Sequence, residues 1–418
     1  MMRSLLFRKK SLNILFNKPL PKIQPQTLAV KLTNKGERSV KSKHPWLFSD
    51  SVEKINKEGN AGDIAVIFNR TTNKPMGVGL YDPDSPIRIK MLHFGGGAKL
   101  NETYFSDKVE RAFKAREELL ESNTNSYRLL FGENDGFPGL IADVYASVLV
   151  LKIYNAIWFP FIHMIFPKLL EITGCGTLVL RLSRGLQTNM AGLVEGEVLY
   201  GDLKNEVVQF IEHGVQFSAH VIKGHKTGYF LDHRENRRRV GMLSKGKTML
   251  DVFSYAGGFS IHALAKGATE VTSLDISAQA LEVAKENGAL NKHKGKHFTI
   301  VGDAFVELER LIREGKQYDV VVIDPPSFAK SKREIVVAKK KYAQLAKLGA
   351  QLVAKKGLLV LASCSSRITA DEFFQINIET LKEHGTYFEF IEKTFHDTDH
   401  PVGFPEGAYL KCGYYRFS

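Results

Sequence analysis

Cysteine is scarce in this chain: three among 418 residues, at Cys175, Cys364 and Cys412, with no Cys-x-x-Cys pair. Isolated cysteines in odd number give neither a disulfide framework nor a zinc site, so no metal and a reducing cytoplasmic setting are expected. Long apolar runs are missing as well, and nothing approaches the roughly 18 residues that a membrane span needs. Acidic residues are absent from the first 36 positions, which carry eight Lys or Arg. That stretch lacks the long apolar core and small-residue cleavage site of a secretory signal, leaving a disordered basic leader over residues 1–27 as the expectation and a transit segment as the alternative.

What is present reads as a globular protein of two or three domains, with 44% hydrophobic and 25% charged residues. The formal charge is +13. Because the leader holds so much of it, the remaining 50 basic residues face 45 acidic ones, and global charge is a weak argument for a nucleic-acid partner.

Three domains follow the leader along the chain. From Leu28 to about His93, LAVKLTNKGERSV, HPWLFSDSV, GDIAVIFNR, KPMGVGLYD and PIRIKML read as short strands and turns of a β-rich domain, 28–96. After Gly95-Gly96-Gly97 a helix is expected with Phe105, Val109, Phe113 and Leu120 near one face. Residues 97–199 then alternate strands with a helical WFPFIHMIFPKLLEIT around the turn-rich FGENDGFPGLIADVY, a small central α/β domain. A hairpin from Tyr200 to His220 leads into a last domain, 200–418. There TMLDVF, TEVTSLDI, HFTIVGD, YDVVVIDPP and GLLVLASCS alternate with amphipathic segments, the pattern of a doubly wound parallel sheet. YFEFIEKTF and AYLKCGYYRF read as a terminal antiparallel pair.

Polar residues mark the carboxyl ends of these strands, where such sheets bind ligands. DVFSYAGGFS follows the first strand, and its glycines permit close backbone approach. Asp275 ends the second, 18 residues after Gly257, where a carboxylate accepts both hydroxyls of a ribose. Asp303 ends the third. Asp324-Pro325-Pro326-Ser327 ends the fourth as a stiff loop whose carbonyls are open to a planar amine or base. Cys364 emerges after the fifth, beside that loop, where a helix N-terminus and Arg367 would favour a thiolate. Two basic segments flank the sheet edge: GHKTGYFLDHRENRRR, with Lys226, Arg234 and Arg237, and the stretch after DPP, with Lys330 and Lys332. Both read as a rim for RNA phosphates.

Together these segments resemble the PUA-containing large-subunit rRNA methyltransferases, in their cytosine-C5 branch, from about Leu28 to the C-terminus. ERSVKSKHPWLFSDSV resembles the PUA opening, FGENDGFPGLIADVY a central-domain signature, DVFSYAGGFS, LDIS, GDAF and DPPSFAKSK the cofactor and catalytic motifs, SCSS the cysteine motif, and DHPVGFPEGAYLKC the family ending. The resemblance implies a PUA domain, a central α/β domain and a Rossmann-like methyltransferase domain. It implies S-adenosylmethionine as cofactor, bound through Phe253, Ser254, Tyr255, Gly257, Asp275, Ile276, Asp303, Ala304 and Asp324. It also implies 23S rRNA as partner and Cys364 and Asp324 as catalytic residues; a homodimer is a further expectation, a membrane is not. DHRENRR also resembles a guanine-N7 branch that shares the DPP loop but lacks the cysteine. A dinucleotide-dependent oxidoreductase is a competing reading, opposed by DPPS, the C-terminal strand pair and the lack of a full Gly-x-Gly-x-x-Gly, and a non-enzymatic RNA-binding protein is another.

Overall fold

The structure is a computed structural model that describes residues 14–186, 192–385 and 387–418. Its elements, in chain order, are β1 (Thr27–Leu32), α1 (Asn34–Lys41), β2 (Trp46–Phe48), β3 (Val52–Ile55), β4 (Ile64–Phe68), β5 (Pro75–Tyr81), β6 (Ile87–Phe94), α2 (Glu102–Lys114), α3 (Glu117–Leu120), β7 (Ser126–Phe131), β8 (Leu140–Tyr145), β9 (Val148–Ile153), α4 (Ile162–Thr173), β10 (Thr177–Leu182), β11 (Val198–Tyr200), β12 (Val207–Glu212) and β13 (Val215–His220). Then come α5 (Arg234–Leu243), β14 (Thr248–Val252), α6 (Gly258–Ala265), β15 (Glu270–Asp275), α7 (Ala278–Ala289), β16 (Lys296–Val301), α8 (Ala304–Arg313), β17 (Tyr318–Ile323), α9 (Ile335–Leu352), β18 (Val353–Ser363), α10 (Ala370–Glu383), β19 (Phe388–Thr394) and β20 (Lys411–Phe417).

Two compact units emerge. The first takes the chain up to Ala115, Leu129–Val208 and His220–Gly228; the second takes Arg116–Arg128, Gln209–Ala219 and Tyr229–Ser418. This departs from the linear division expected from sequence, and Arg116 supplies a reason. Its fully buried guanidinium donates to the Arg128 and Asp399 carbonyls, tying 116–128 to the second unit.

In the first unit six strands form one sheet in the order β2-β6-β5-β4-β1-β3. Leu28, Val30, Leu32, Ala65, Ile67, Ile89 and Met91 alternate inward from β1, β4 and β6 and fill its core. NKGERSVK, expected among short strands, is helical instead. Thr33 caps it by accepting from the Gly36 amide, and buried Val40 docks it on the sheet core. The central sheet runs β11-β10-β9-β8-β7. In α2, Phe105 and Val109 face inward as expected. The buried stripe continues at helical spacing through Ala112, Arg116 and Leu119, which are buried in place of Phe113 and Leu120. The disordered leader expected over residues 1–27 does not hold for residues 14–26, and residues 1–13 lie outside the described ones. Asn17 bonds the Leu199, Val198 and Gly201 backbone, and Lys18 pairs with Glu197.

The second unit carries the seven-stranded sheet β16-β15-β14-β17-β18-β20-β19. β14, β15, β16, β17 and β18 are parallel, and β20 inserts antiparallel between β18 and β19. The order reverses between β14 and β17, the switch point where such sheets open a ligand crevice. Leu250, Val252, Leu274, Val321, Ile323, Leu359 and Leu361 pack with α8, α9 and α10 beneath that edge. Among the described residues no helix is long and apolar enough to cross a membrane.

Candidate active site

The loop after β14 is held open by its backbone. Phe253, Tyr255 and Gly257 have φ of 63°, 47° and 78°, a left-handed conformation that is costly for the two aromatic residues and typical of sites where the surroundings enforce it. Gly257 is required twice over: besides its φ, a Cβ there would stand 2.9 Å from that of Ala284, where α6 packs on α7. The surroundings that hold the loop are the end of β15. Leu274 O accepts from Ser254 N at 3.0 Å, and Asp275 Oδ2 accepts from Tyr255 N at 2.9 Å while its Oδ1 accepts from Ser277 N at 2.9 Å. Asp275 thus clamps the first loop and keeps lone pairs on both oxygens. Next to it Ile276 is 73% exposed. Asp303 caps α8 through the Phe305 and Val306 amides, and Ala304 is buried beneath it.

Sequence reasoning did not single out Asp251, the first residue of that motif. Its carboxyl is buried, with Oδ2 accepting from Ser260 N at 3.0 Å and Ser260 Oγ at 2.6 Å. Burial pushes its pKa up to about 7, against the opposing Ser260 bonds. Asp251 Oδ1, near the end of β14, and Ser254 Oγ, in the loop after it, are buried without a hydrogen-bond partner among the described residues. Buried polar atoms are seldom left so unless a ligand completes them. One carboxylate oxygen and one hydroxyl suit the ammonium and carboxylate of an amino acid, and Asp275 suits a ribose. The residues present therefore fit S-adenosylmethionine.

Asp324 follows β17, its side chain 23% exposed. Its carboxylate meets His233, the residue just before α5, at 3.4 Å from Nε2 to Oδ1. Cys364 follows β18, half-buried, with Sγ 3.9 Å from the Pro325 carbonyl oxygen, so the structure brings the cysteine to the DPP loop. The alternation of the strand explains the surrounding serines. Ser363 and Ser365 turn inward, Ser363 Oγ donating to Tyr342 Oη at 2.9 Å and accepting from Ser365 N at 3.3 Å.

The cation buried at this loop is Lys411, not Arg367, which is exposed. Lys411 Nζ donates to the carbonyls of Ser365, Ile368 (2.5 Å) and Tyr409 (3.2 Å). Burial lowers its pKa to about 8. The helix terminus expected to act on Cys364 is already closed: Thr369 and Glu372 form a capping box on α10. Lys411 stood in the sequence beside Cys412, in a strand whose alternation gave no sign of an inward ammonium.

Two residues assigned to an RNA rim are corrected. Arg234 is fully buried, with Nη1 and Nη2 donating to Asp399 at 2.9 and 2.7 Å and Nη2 to Asp397 at 2.6 Å. Arg237 is 4% exposed and grips Glu212 through two 2.7 Å bonds, Glu212 also accepting from His262 at 2.9 Å. Burial alone would raise the Glu212 pKa, but Arg237 and His262 bring it well below the ordinary carboxylate range. These arginines hold the second unit together and cannot reach phosphate. Lys330 and Lys332, just after the DPP loop, are exposed. Lys226 is exposed too and belongs to the first unit.

Comparison with known proteins agrees with this layout. A profile for PUA-like domains matches residues 30–94, and one for S-adenosylmethionine-dependent methyltransferases matches residues 184–415. A ribosomal RNA large subunit methyltransferase of Deinococcus radiodurans is 40% identical over 393 residues, 92% of this chain and 96% of the relative. The ribosomal RNA large subunit methyltransferase I of Shewanella denitrificans is 32% identical over 92% of this chain and 98% of its own. A crystal structure assigned as a methyltransferase and complexed with SAH shares the fold, with a TM-score of 0.78, 21% identity, and coverage of 94% of this chain and 100% of that one. The chain belongs to the family of PUA-domain-containing, S-adenosylmethionine-dependent ribosomal RNA large subunit methyltransferases.

Proposed function

We propose that the protein methylates C5 of a cytosine in 23S rRNA through a covalent adduct with Cys364. The observation that carries the reading is the placement of Cys364 against the Asp324-Pro325-Pro326 loop at the switch point of the sheet. C5 of cytosine is too weak a nucleophile to take a methyl group unaided, and a thiolate added at C6 makes it enamine-like. S-adenosylmethionine supplies the electrophilic methyl group when bound. Asp251, Ser254 and Asp275 hold it, Cys364 Sγ forms the bond to C6, and Asp324 donates a proton to N3, where charge develops. Once C5 carries the methyl group its proton leaves to water, and expulsion of Sγ restores the ring. Lys330 and Lys332 offer charges to the RNA backbone beside the loop.

The guanine-N7 alternative drew on DHRENRR, and Arg234 and Arg237 in that segment are engaged with Asp397, Asp399 and Glu212. The segment's arginines therefore carry no information about the base. RNA bearing 5-fluorocytosine should trap the wild-type enzyme as a covalent complex, because fluorine at C5 cannot leave as a proton does. Cys364→Ser should form no complex, turn over nothing and bind S-adenosylmethionine as before, while Cys175→Ser and Cys412→Ser stay active. Normal methylation by Cys364→Ser would make direct attack by a guanine nitrogen the better account.

A further inference from the structure

The Asp324 carboxyl must deliver a proton to N3 in every turnover and therefore needs a group that reloads it. The structure places one group to do this. His233 is 5% exposed, its Nδ1 lies 3.2 Å from Asn236 Nδ2, and its Nε2 stands 3.4 Å from Asp324 Oδ1 with no other partner among the described residues. That separation is an ion-pair contact still short of a well-formed hydrogen bond, as expected of a catalytic pair before substrate tightens it.

We propose that His233 is the positioning residue that keeps Asp324 supplied with the proton it delivers to cytosine N3. The inference rests on the cytosine-C5 reading. As the Sγ–C6 bond forms, the C5=C6 π pair moves to C4–C5 and the C4=N3 pair to N3. N3 takes the carboxyl proton, and the carboxyl takes the proton of His233 Nε2. The net change is one proton moved from imidazolium to N3. Elimination of Sγ reverses it, so the pair is recharged in each turnover without a proton from outside.

An imidazolium here carries an N–H at Nδ1 that the Asn236 side chain accepts through Oδ1 once its amide turns over, Nδ2 then donating to the Thr394 and Tyr414 hydroxyls that otherwise bond Oδ1. Burial disfavours the charge, but Asp324 in front and Asp232 from the preceding residue outweigh it, so the pKa of His233 is raised above 6.5. Arg237 in α5 opposes, and His396, between β19 and β20, is itself held down to about 4 by burial. The Phe259 ring of α6, 5.6 Å away, adds no charge. Asp232 in turn accepts from Tyr409 Oη at 2.8 Å.

The test compares single-turnover methyl transfer to unmodified 23S rRNA by wild type and His233→Gln from pH 5.5 to 6.5. Both proteins carry the same Cys364, so its ionisation cancels in the ratio of the rates. In the variant the N3 proton has to come from solvent, whose hydronium concentration falls tenfold per pH unit, whereas in wild type the His233 imidazolium, its pKa raised above 6.5, remains a proton source over this range. The variant-to-wild-type ratio should fall by about five- to tenfold per unit. A ratio that is low but independent of pH means a structural role and overturns the proposal. Should the variant fail to fold, the imidazole of wild-type His233, followed by NMR, must titrate above 6.5 and move down in Asp324→Asn. Titration at or below 6.5, or no movement, overturns it equally. The 5-fluorocytosine trap separates the two readings: no adduct with wild type defeats the cytosine mechanism and this inference together, while an adduct with a flat ratio defeats the inference alone.

Discussion

Asp251 is a carboxyl whose burial works against the free enzyme and whose ionisation suits the bound one. Replacing it by Asn tests this. With a folded-state pKa of about 7 against 3.8, the native protein holds the Asp251 proton more tightly than the unfolded chain does. Stability from this group is therefore fully present below 3.8 and is lost as pH rises toward 7, beyond which the loss is complete. At about 1.4 kcal/mol per unit the whole range is worth about 4 kcal/mol, of which about 3 kcal/mol falls between pH 5 and pH 8.5. The amide introduced by Asp251→Asn would keep an acceptor for Ser260 and has no titration. Its unsatisfied NH2 group costs about 1–3 kcal/mol, the same at both pH values.

The variant's stability relative to wild type should accordingly rise by about 3 kcal/mol from pH 5 to pH 8.5, whatever its absolute value. Both tryptophans, Trp46 and Trp158, lie in the first unit, so their fluorescence reports on the wrong part of the molecule. Urea unfolding read by pulsed hydrogen exchange of the β14 and β15 peptides is the assay that sees Asp251. A relative stability that stays constant with pH would refute the argument. In the wild type the same carboxyl, facing an ammonium ligand, must be ionised to bind it. Affinity for S-adenosylmethionine should then weaken by about tenfold per unit below pH 7, and this dependence should vanish in Asp251→Asn.

Two further outcomes follow from the clamp and the buried ion pairs. Asp275→Ala removes both the expected ribose partner and the acceptor for the Tyr255 amide, and should weaken S-adenosylmethionine binding by about 1.5–3 kcal/mol in calorimetric titration; unchanged affinity with the fold intact would defeat the assignment. Arg234→Met leaves Asp397 and Asp399 without their cation and should destabilise the second unit by about 3–5 kcal/mol. If it folds, its RNA affinity should keep the wild-type dependence on salt, and a shallower salt slope would return Arg234 to the phosphate rim.

Where hydrophobic period and chain direction decide the outcome, the sequence was readable. The five parallel strands end where apolar runs stop, and the acids that follow them lie in successive loops because each strand runs the same way. Reading failed where one residue type serves two purposes. Arg234 and Arg237 look like a phosphate rim because clustered arginines usually are solvated, and their partners, Asp399 and Glu212, lie 165 and 25 residues away. No local pattern announces such a pair. NKGERSVK was misplaced for a related reason: eight residues are too few to show a helical period, and the deciding signal was a single capping threonine.

The same long-range pairing ties the family ending DHPVGFPEGAYLKC to the crevice residues, although none of it lies near them in sequence. Asp399 receives Arg234, the Arg128 amide at 2.8 Å and His400 at 2.8 Å, which fixes the chain leading into α5. His233 is the residue immediately before Arg234, so the anchor that holds the arginine also fixes the imidazole opposite Asp324. From the other end of the segment, Lys411 ties down the carbonyls after Cys364. One C-terminal segment thus anchors both the imidazole that faces Asp324 and the chain that follows Cys364. If, as proposed, a thiolate and an acid meet two positions of one pyrimidine, the site has reason to reference both to a common strut, since a displacement of about 1 Å in either costs about a hundredfold in rate.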